Sequence, residues 1–404
     1  MCTTIEVAGH LLPGAWRYML PEEFTWLRLP RERRATCAEC PRILTKDYRA
    51  DCRCCTYFPH LPNFMLGLGL LDERTRDTMM PLITGGFAVP EGTPITPARL
   101  QETTALYVRE AFGRNRGLIC PLVSKDGARC GIYPYRNSVC ATFFCEADHG
   151  ALGIRYWEKV QALLGQVETA LAQWCMGEVG IDVDAYMATL DAFEDALDAV
   201  TDTDTGAWSE EARRALFGEW FGRETRFFEQ CAELVMDHRG DLYGIACRQT
   251  LRVAFGYERA VEAALPEQQL AEIDPLPKNP GDPIPIETLW YQLQLATKRL
   301  WELPFNEAEV GRHPDVAILD NPRDDVLANI HGDKPHFVVV PREPDDTEPA
   351  QRLFLSEAEA SVLALFDPPQ IIGESLLERP ELTALDDAKG FLAECMRRRI
   401  LVSQ

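Results

Sequence analysis

Histidine is scarce in this chain, seven residues in 404, and none stands in the stretch CGIYPYRNSVCATFFC at 130–145. A metal held by that stretch would rest on sulfur. Long apolar runs are missing too: the most apolar one, LPNFMLGLGLL at 61–71, falls far short of the ~20 residues a membrane-spanning helix needs. The opening residues MCTTIEVAGHLLPG carry no basic segment followed by an apolar one, so the expectation is a cytoplasmic protein with no membrane partner. Positive charge is in deficit, with 41 Lys and Arg against 63 Asp and Glu, a net of −22. That balance argues against nucleic acid, because phosphate binding needs clustered cations. No nucleophile elbow, P-loop, zinc-protease motif or internal repeat occurs, and GLGLLDE at 67–73 lacks the preceding strand and the third glycine of a dinucleotide loop.

Cysteine, by contrast, is abundant, with 14 residues. In a small secreted domain that number would mean disulfides; in a large chain without an export signal, where thiols stay reduced, metal ligation is the better expectation. Nine of the 14 fall between residues 37 and 145: Cys37, Cys40, Cys52, Cys54, Cys55, Cys120, Cys130, Cys140 and Cys145. Cys37 and Cys40 form a CxxC pair, in which the intervening backbone lets two sulfurs face one ion, and thiols from distant segments would complete a four-sulfur site. These nine are the candidate metal ligands. Cys2, Cys175, Cys231, Cys247 and Cys395 are scattered and read as plain thiols. The cysteine-rich part is locally basic: residues 28–60 carry eight basic groups against four acids, and 109–136 six against two. Cations there would favour thiolate and an anionic cluster, although a solvated basic face explains them as well. His60 and His149 follow Cys55 and Cys145 closely and are alternative ligands, with a surface or hydrogen-bonding role the simpler account.

Along the chain, residues 1–150 read as an irregular cysteine-cluster metal-binding module with one helix at 96–112, organised by metal rather than by a large core. Residues 151–265 read as an acidic helical bundle: Trp157, Val160, Leu164, Val167, Leu171 and Trp174 recur at intervals of three and four, and Tyr186, Leu190, Phe193, Leu197 and Val200 repeat the pattern. Residues 266–314 hold a Pro-rich linker, five prolines in 273–286, followed by a helix. Residues 315–404 read as a small α+β winged-helix-like domain, with strands at PHFVVVP and RLFLS, a capping box from Ser356 to Glu359, helices and a closing ILV strand. The fold class expected is mainly α. DTDTGAWSEE at 202–211 has its glycine one place early and Arg213 where a calcium loop needs glutamate, so it reads as a turn between helices. Asp184, Asp191, Asp195 and Asp198 read as the solvated side of their helix.

The order CxxC, then a Cys-Cys pair, then Cys120-Pro-Leu, then Cys130-x-Ile-Tyr-x-x-Arg-x-x-x-Cys140-x-x-Phe-x-Cys145 resembles the bacterial cysteine-cluster proteins of the zinc- or iron-chelating YkgJ type, a group distantly related to the flagellin lysine N-methylases. The resemblance covers residues 37–145. It departs from the family where eleven residues separate Cys40 from Cys52 and an extra thiol makes Cys-x-Cys-Cys, so Cys52 and Cys54 compete for one ligand role. Eight ligands would hold two ions, or one cluster and one ion. The dearth of histidine and the basic surroundings favour an iron–sulfur cluster over zinc, with Arg136 balancing thiolate charge and Tyr133 and Phe143 excluding water. More loosely, the C-terminal pattern is similar to PqqD-type peptide-binding domains, which guide modifying enzymes by β-strand addition. The nine basic and eighteen acidic residues of 315–404 exclude a DNA-binding use of the same pattern. The resemblances imply peptide or protein modification of a lysine N-methylase-like kind, with S-adenosylmethionine as a further cofactor and a peptide or protein as partner. The alternative is a non-enzymatic, zinc-stabilised interaction protein.

Overall fold

The computed structural model describes residues 4–7, 10–20, 40–96, 111–124, 130–143, 150–194, 200–202, 205–249, 293, 309–320, 334–340 and 351–403, apart from 384, 386 and 399. Residues 97–110 of the expected helix at 96–112, the Pro-rich stretch at 273–286 and all of the helix after it but Leu293 lie outside the described residues, as do Cys37, Cys145 and His149. The fold is mainly helical with small antiparallel sheets. Among the described residues no helix is long and apolar enough to cross a membrane. The chain divides into two compact units, the first formed by residues 1–249 with 270–293 and the second by 250–269 with 294–404.

In the first unit a hairpin, β1 (Thr4–Val7) and β2 (His10–Pro13), leads into the short helix α1 (Trp16–Met19). Next come α2 (Pro41–Leu44), α3 (Asn63–Leu71) and α4 (Glu73–Thr84). The cysteine motif ends in α5 (Ser138–Thr142), and α6 (Gly150–Glu178), α7 (Val183–Glu194), α8 (Glu210–Phe217), α9 (Glu224–Asp237) and α10 (Leu242–Gln249) follow. Helix α3 is the centre of the unit. Every residue from Asn63 to Leu70 is buried, the signature of a helix apolar on all sides and wrapped by others. It packs chiefly against α9, and also against α4 and α6.

Gly67 makes that approach possible: a Cβ at this position would lie 1.9 Å from the Phe228 carbonyl oxygen of α9. Asn63 locks the start of α3 by donating to the carbonyls of Pro90 and Ala172, 2.9 Å each. The amphipathic stripe expected on α6 forms as read, with Trp157, Val160, Leu164, Val167, Leu171 and Trp174 all buried. On α7 Tyr186 is buried, whereas Leu190 and Phe193 are half-buried.

The segment expected to be organised by metal thus also carries a core. Phe64, Leu66 and Leu70 of α3 are buried, as are Phe228 of α9 and Leu164 of α6, the helices that α3 packs against, and each such side chain contributes roughly 1.5–3 kcal/mol. That is enough to fix α3 and α4 by burial. The sequence concealed it because α3 has no polar face to mark a period, and Gly67 and Gly69 look like loop residues.

The second unit, as described, has two three-stranded antiparallel sheets. One has β3 (Glu309–Arg312) between β7 (Gln370–Ile371) and β8 (Leu401–Ser403); the other orders β4 (Leu319–Asp320), β5 (His336–Val339) and β6 (Arg352–Leu355). Helices α11 (Glu357–Ala364), α12 (Ile372–Glu378), α13 (Pro380–Thr383) and α14 (Ala388–Arg397) complete it. The capping box is present, with Ser356 Oγ accepting from the Glu359 N–H and the Glu359 carboxylate accepting from the Ser356 N–H. Val310, Val338, Leu355, Val362, Leu363, Phe366, Leu392 and Leu401 form one apolar core.

Candidate metal centre

The cysteine segments are joined by backbone hydrogen bonds across long stretches of chain. After Cys40, at the start of α2, the chain turns at Lys46 and again at Arg53, whose φ of 55° is in the left-handed region. The second turn parts the Cys52-Arg-Cys54-Cys55 knot. Cys52 is buried beside the Arg49–Asp51 ion pair, its Sγ 3.8 Å from the Asp51 carboxylate, whereas Cys54 acts on its neighbour Cys55 and lowers that thiol's pKa. The N–H of Cys120 then donates to the Cys55 carbonyl at 2.8 Å, tying together positions 65 residues apart. Cys130 forms an antiparallel bridge with Val123, and the Gly131 N–H donates to the Leu122 carbonyl at 2.8 Å, which draws Cys130 to the segment that follows Cys120.

From Cys130 a 3-10 turn, Tyr133–Tyr135, leads to α5, which carries Cys140. Asn137 caps this helix by accepting from the Cys140 N–H at 3.0 Å, and its own amide donates to the His60 carbonyl at 3.2 Å. The Cys140 helix is thereby fastened to the loop that follows Cys55.

The consequence is electrostatic. Burial raises the Cys120 thiol, and the negative charges that Cys140, Cys130 and Cys55 would carry raise it further. Cys140 is pushed up to about 12, by burial first and then by Cys130 and Cys55, with Arg136 opposing. Cys55 goes the other way, lowered by the hydrogen bond from Cys54 and then by the charges of Arg53 and Arg136. Four thiols, Cys55, Cys120, Cys130 and Cys140, therefore share one neighbourhood.

Arg136 is fixed over them. Its guanidinium lies 3.7 Å from the centre of the Tyr133 ring, Nε donates to the Tyr133 carbonyl at 3.1 Å and Nη1 to the Cys140 carbonyl at 3.2 Å. As donors, these residues suit a soft or borderline cation: binding would replace the thiol protons and offset the burial, and the smaller mutual repulsion, that keep Cys120 and Cys140 protonated. Their spacing is looser than their chemistry. Among the described residues no group of three or more His, Cys, Asp and Glu side chains is arranged to hold a metal ion.

Of the nine expected ligands, four thus share one neighbourhood, Cys55, Cys120, Cys130 and Cys140, with Cys54 acting on Cys55 alone. Neither Cys40 nor Cys52 is among the thiols whose charges act on Cys120 and Cys140. The His60 Nε2 is buried without a hydrogen-bond partner, and burial lowers its pKa, with the charge of Glu91 opposing. Phe143 is 45% exposed and meets Phe112 edge-on, so only part of it is available to exclude water.

Two features escaped sequence reasoning. Glu168 of α6 is buried beneath α5, where it accepts from the Ser138 N–H and Oγ at 2.8 Å each; burial pushes its carboxyl up to about 8. Its signal was a carboxylate on the apolar stripe, four residues after Leu164. The second is a cleft of about 480 Å³ walled by Met65, Leu68, Leu71, Met236, Pro134 and Tyr135. At its edge Tyr135 donates to Asp72 at 3.0 Å, and Arg74 grips the same carboxylate through Nε and Nη2 at 3.0 and 2.7 Å. Arg74 holds Asp72 down at about 2. Pro134 and Tyr135 belong to the same short turn as Tyr133, so the cleft adjoins the chain segment that carries the thiols.

Compared with family models, curated proteins and solved structures, the chain matches none.

Proposed function

We propose that this chain is a cysteine-cluster metalloprotein in which Cys55, Cys120, Cys130 and Cys140 hold an iron–sulfur centre, zinc being the alternative occupant, and that it acts on a peptide or protein. The observation that carries the reading is the convergence of four thiols from segments up to 85 residues apart, with Arg53 and Arg136 acting on them. Thiols gathered only for packing would have no need of fixed cations, whereas a four-thiolate centre is anionic and is favoured by them. The centre would supply redox or Lewis-acid chemistry. Around it Arg136 would balance charge, Asn137 would hold Cys140 in place, and the 480 Å³ cleft beside Tyr135 would receive an apolar group of the substrate.

Within this proposal residues 37–145 are a module of the YkgJ type, the second unit is a winged-helix-like domain that presents a peptide by strand addition, and the protein works in the cytoplasm, free of nucleic acid and membrane. S-adenosylmethionine is part of the proposal through the lysine N-methylase resemblance alone. A second reading, a zinc-stabilised interaction protein without catalytic activity, is favoured by the apolar residues exposed on the cysteine-bearing unit: Leu44 at 83%, Phe143 at 45% and Leu71 at 43%.

Anaerobic purification followed by absorbance and metal analysis separates the two. A brown protein with a broad band near ~400 nm and bound iron and sulfide is expected. Stoichiometric zinc in a colourless protein would overturn the iron–sulfur assignment and leave the interaction reading.

A further inference from the structure

In a chain whose net charge is −22, the segments 41–51 and 111–117 of the first unit carry five cations, Arg42, Lys46, Arg49, Arg114 and Arg116, against two acids. All five cations are exposed. Asp47 joins the segments: Arg42 Nη1 donates to its carboxylate at 3.2 Å, and Arg114 Nε donates to its carbonyl at 2.9 Å. The Arg49 N–H donates to the Gly113 carbonyl at 2.9 Å, and the Arg49 guanidinium holds the Asp51 carboxylate through Nε and Nη2 at 2.9 Å each. The two segments thus build one basic face, and α2 carries Leu44, 83% exposed, between Arg42 and Lys46. Lys46 turns the chain with a φ of 62°, a conformation that glycine or asparagine adopts at less cost, so the lysine stands there against the preference of the backbone. Solubility does not explain the face, since carboxylates serve that purpose better.

We propose that this face is a docking surface for a short acidic segment of a partner protein, whose carboxylates meet the cations and whose apolar side chain covers Leu44. Charge and extent both favour a short peptide over a long polyanion. Asp47 and Asp51 stand among the cations and would repel a continuous row of phosphates, whereas a peptide can set an uncharged residue or a backbone N–H opposite them. A nucleic acid or an anionic membrane would also run past the face onto a protein that is acidic overall, and Leu44 offers a phosphate nothing. Arg53 and Arg136, the cations that act on the thiols, lie outside the face. The inference therefore rests on the reading that the partner is a peptide or protein, and not on the metal.

Fluorescence anisotropy tests this with the full-length protein as purified and three labelled probes: a peptide of glutamate and leucine, the same peptide with serine for leucine, and a strand of oligothymidylate. The peptide of glutamate and leucine is expected to bind most tightly, and less so as salt rises from ~0.1 to ~1 M and the screening length falls from ~10 to ~3 Å. Lys46→Gly, in which glycine suits the turn, should weaken binding roughly two- to fivefold without lowering the unfolding midpoint, and Arg116→Glu should weaken it at least as much. Leu44→Ser should remove the advantage of leucine over serine in the peptide. Absence of saturable binding by the acidic peptide would overturn the proposal, as would tighter binding of oligothymidylate or undiminished affinity in Lys46→Gly and Arg116→Glu. Metal analysis of the same samples keeps the two assignments apart: peptide binding by a metal-free protein would sink the thiol centre alone, and metal without peptide binding would sink this surface alone.

Discussion

Glu168 is the residue whose chemistry the helix pattern hid. Its carboxyl is raised to about 8 by burial, against the hydrogen bonds from Ser138, whereas in the unfolded chain it ionises near 4.5. Between those values the unfolded state has released a proton that the folded state retains. Stability from this group is therefore fully present below about pH 4.5, falls as pH rises through the window and levels off above about 8, a change of at most about 5 kcal/mol. Glu168→Gln preserves both bonds to Ser138, with Oε1 accepting and Nε2 donating, and cannot ionise. Denaturant titrations from pH 5 to 8.5 should show the wild type losing stability relative to this variant, and parallel profiles would contradict the assigned burial.

The cysteines themselves were legible by type and number: nine thiols in two groups in a large chain set the expectation of metal ligation. Which of them converge was not legible. That depends on the left-handed turn at Arg53 and on single hydrogen bonds between remote positions, Cys120 to Cys55 and Asn137 to His60.

At the scale of elements, helices with one apolar face announced themselves, and those without did not. The α6 stripe needed only its spacing of three and four, and the capping box placed the start of α11 at Ser356. Removing that cap in Ser356→Ala should cost about 1 kcal/mol in urea unfolding of the second unit, with the first unit's transition unmoved. Helix α3 has apolar residues on every side and two glycines, so no period marked it, and its role depends on a neighbour distant in sequence. Gly67→Ala would drive a methyl group into the Phe228 carbonyl, which is backbone and cannot swing aside. A loss of about 3 kcal/mol is expected from chemical denaturation of the first unit. A loss below ~1 kcal/mol would mean that α3 and α9 do not cross this closely.

For the whole molecule, composition gave the class and the packing gave the organisation. An acidic chain with a cysteine-rich, locally basic part was legible throughout; that this part shares a compact unit with the helices after it was not, because the α3–α9 contact spans more than 150 residues and leaves no local trace. Two kinds of support then act on the same region, apolar burial around α3 and the proposed thiolate centre. They predict different outcomes when one is removed: loss of the metal should loosen residues 120–143, seen as faster amide exchange there, while α3 stays protected.

The central claim is that Cys55, Cys120, Cys130 and Cys140 bind metal, and metal content per chain tests it most directly. After anaerobic purification, wild type and Cys175→Ser should retain the same stoichiometric iron or zinc, whereas Cys120→Ser and Cys140→Ser should each lose most of it. Equal metal in all four proteins, or none in the wild type, would contradict the account.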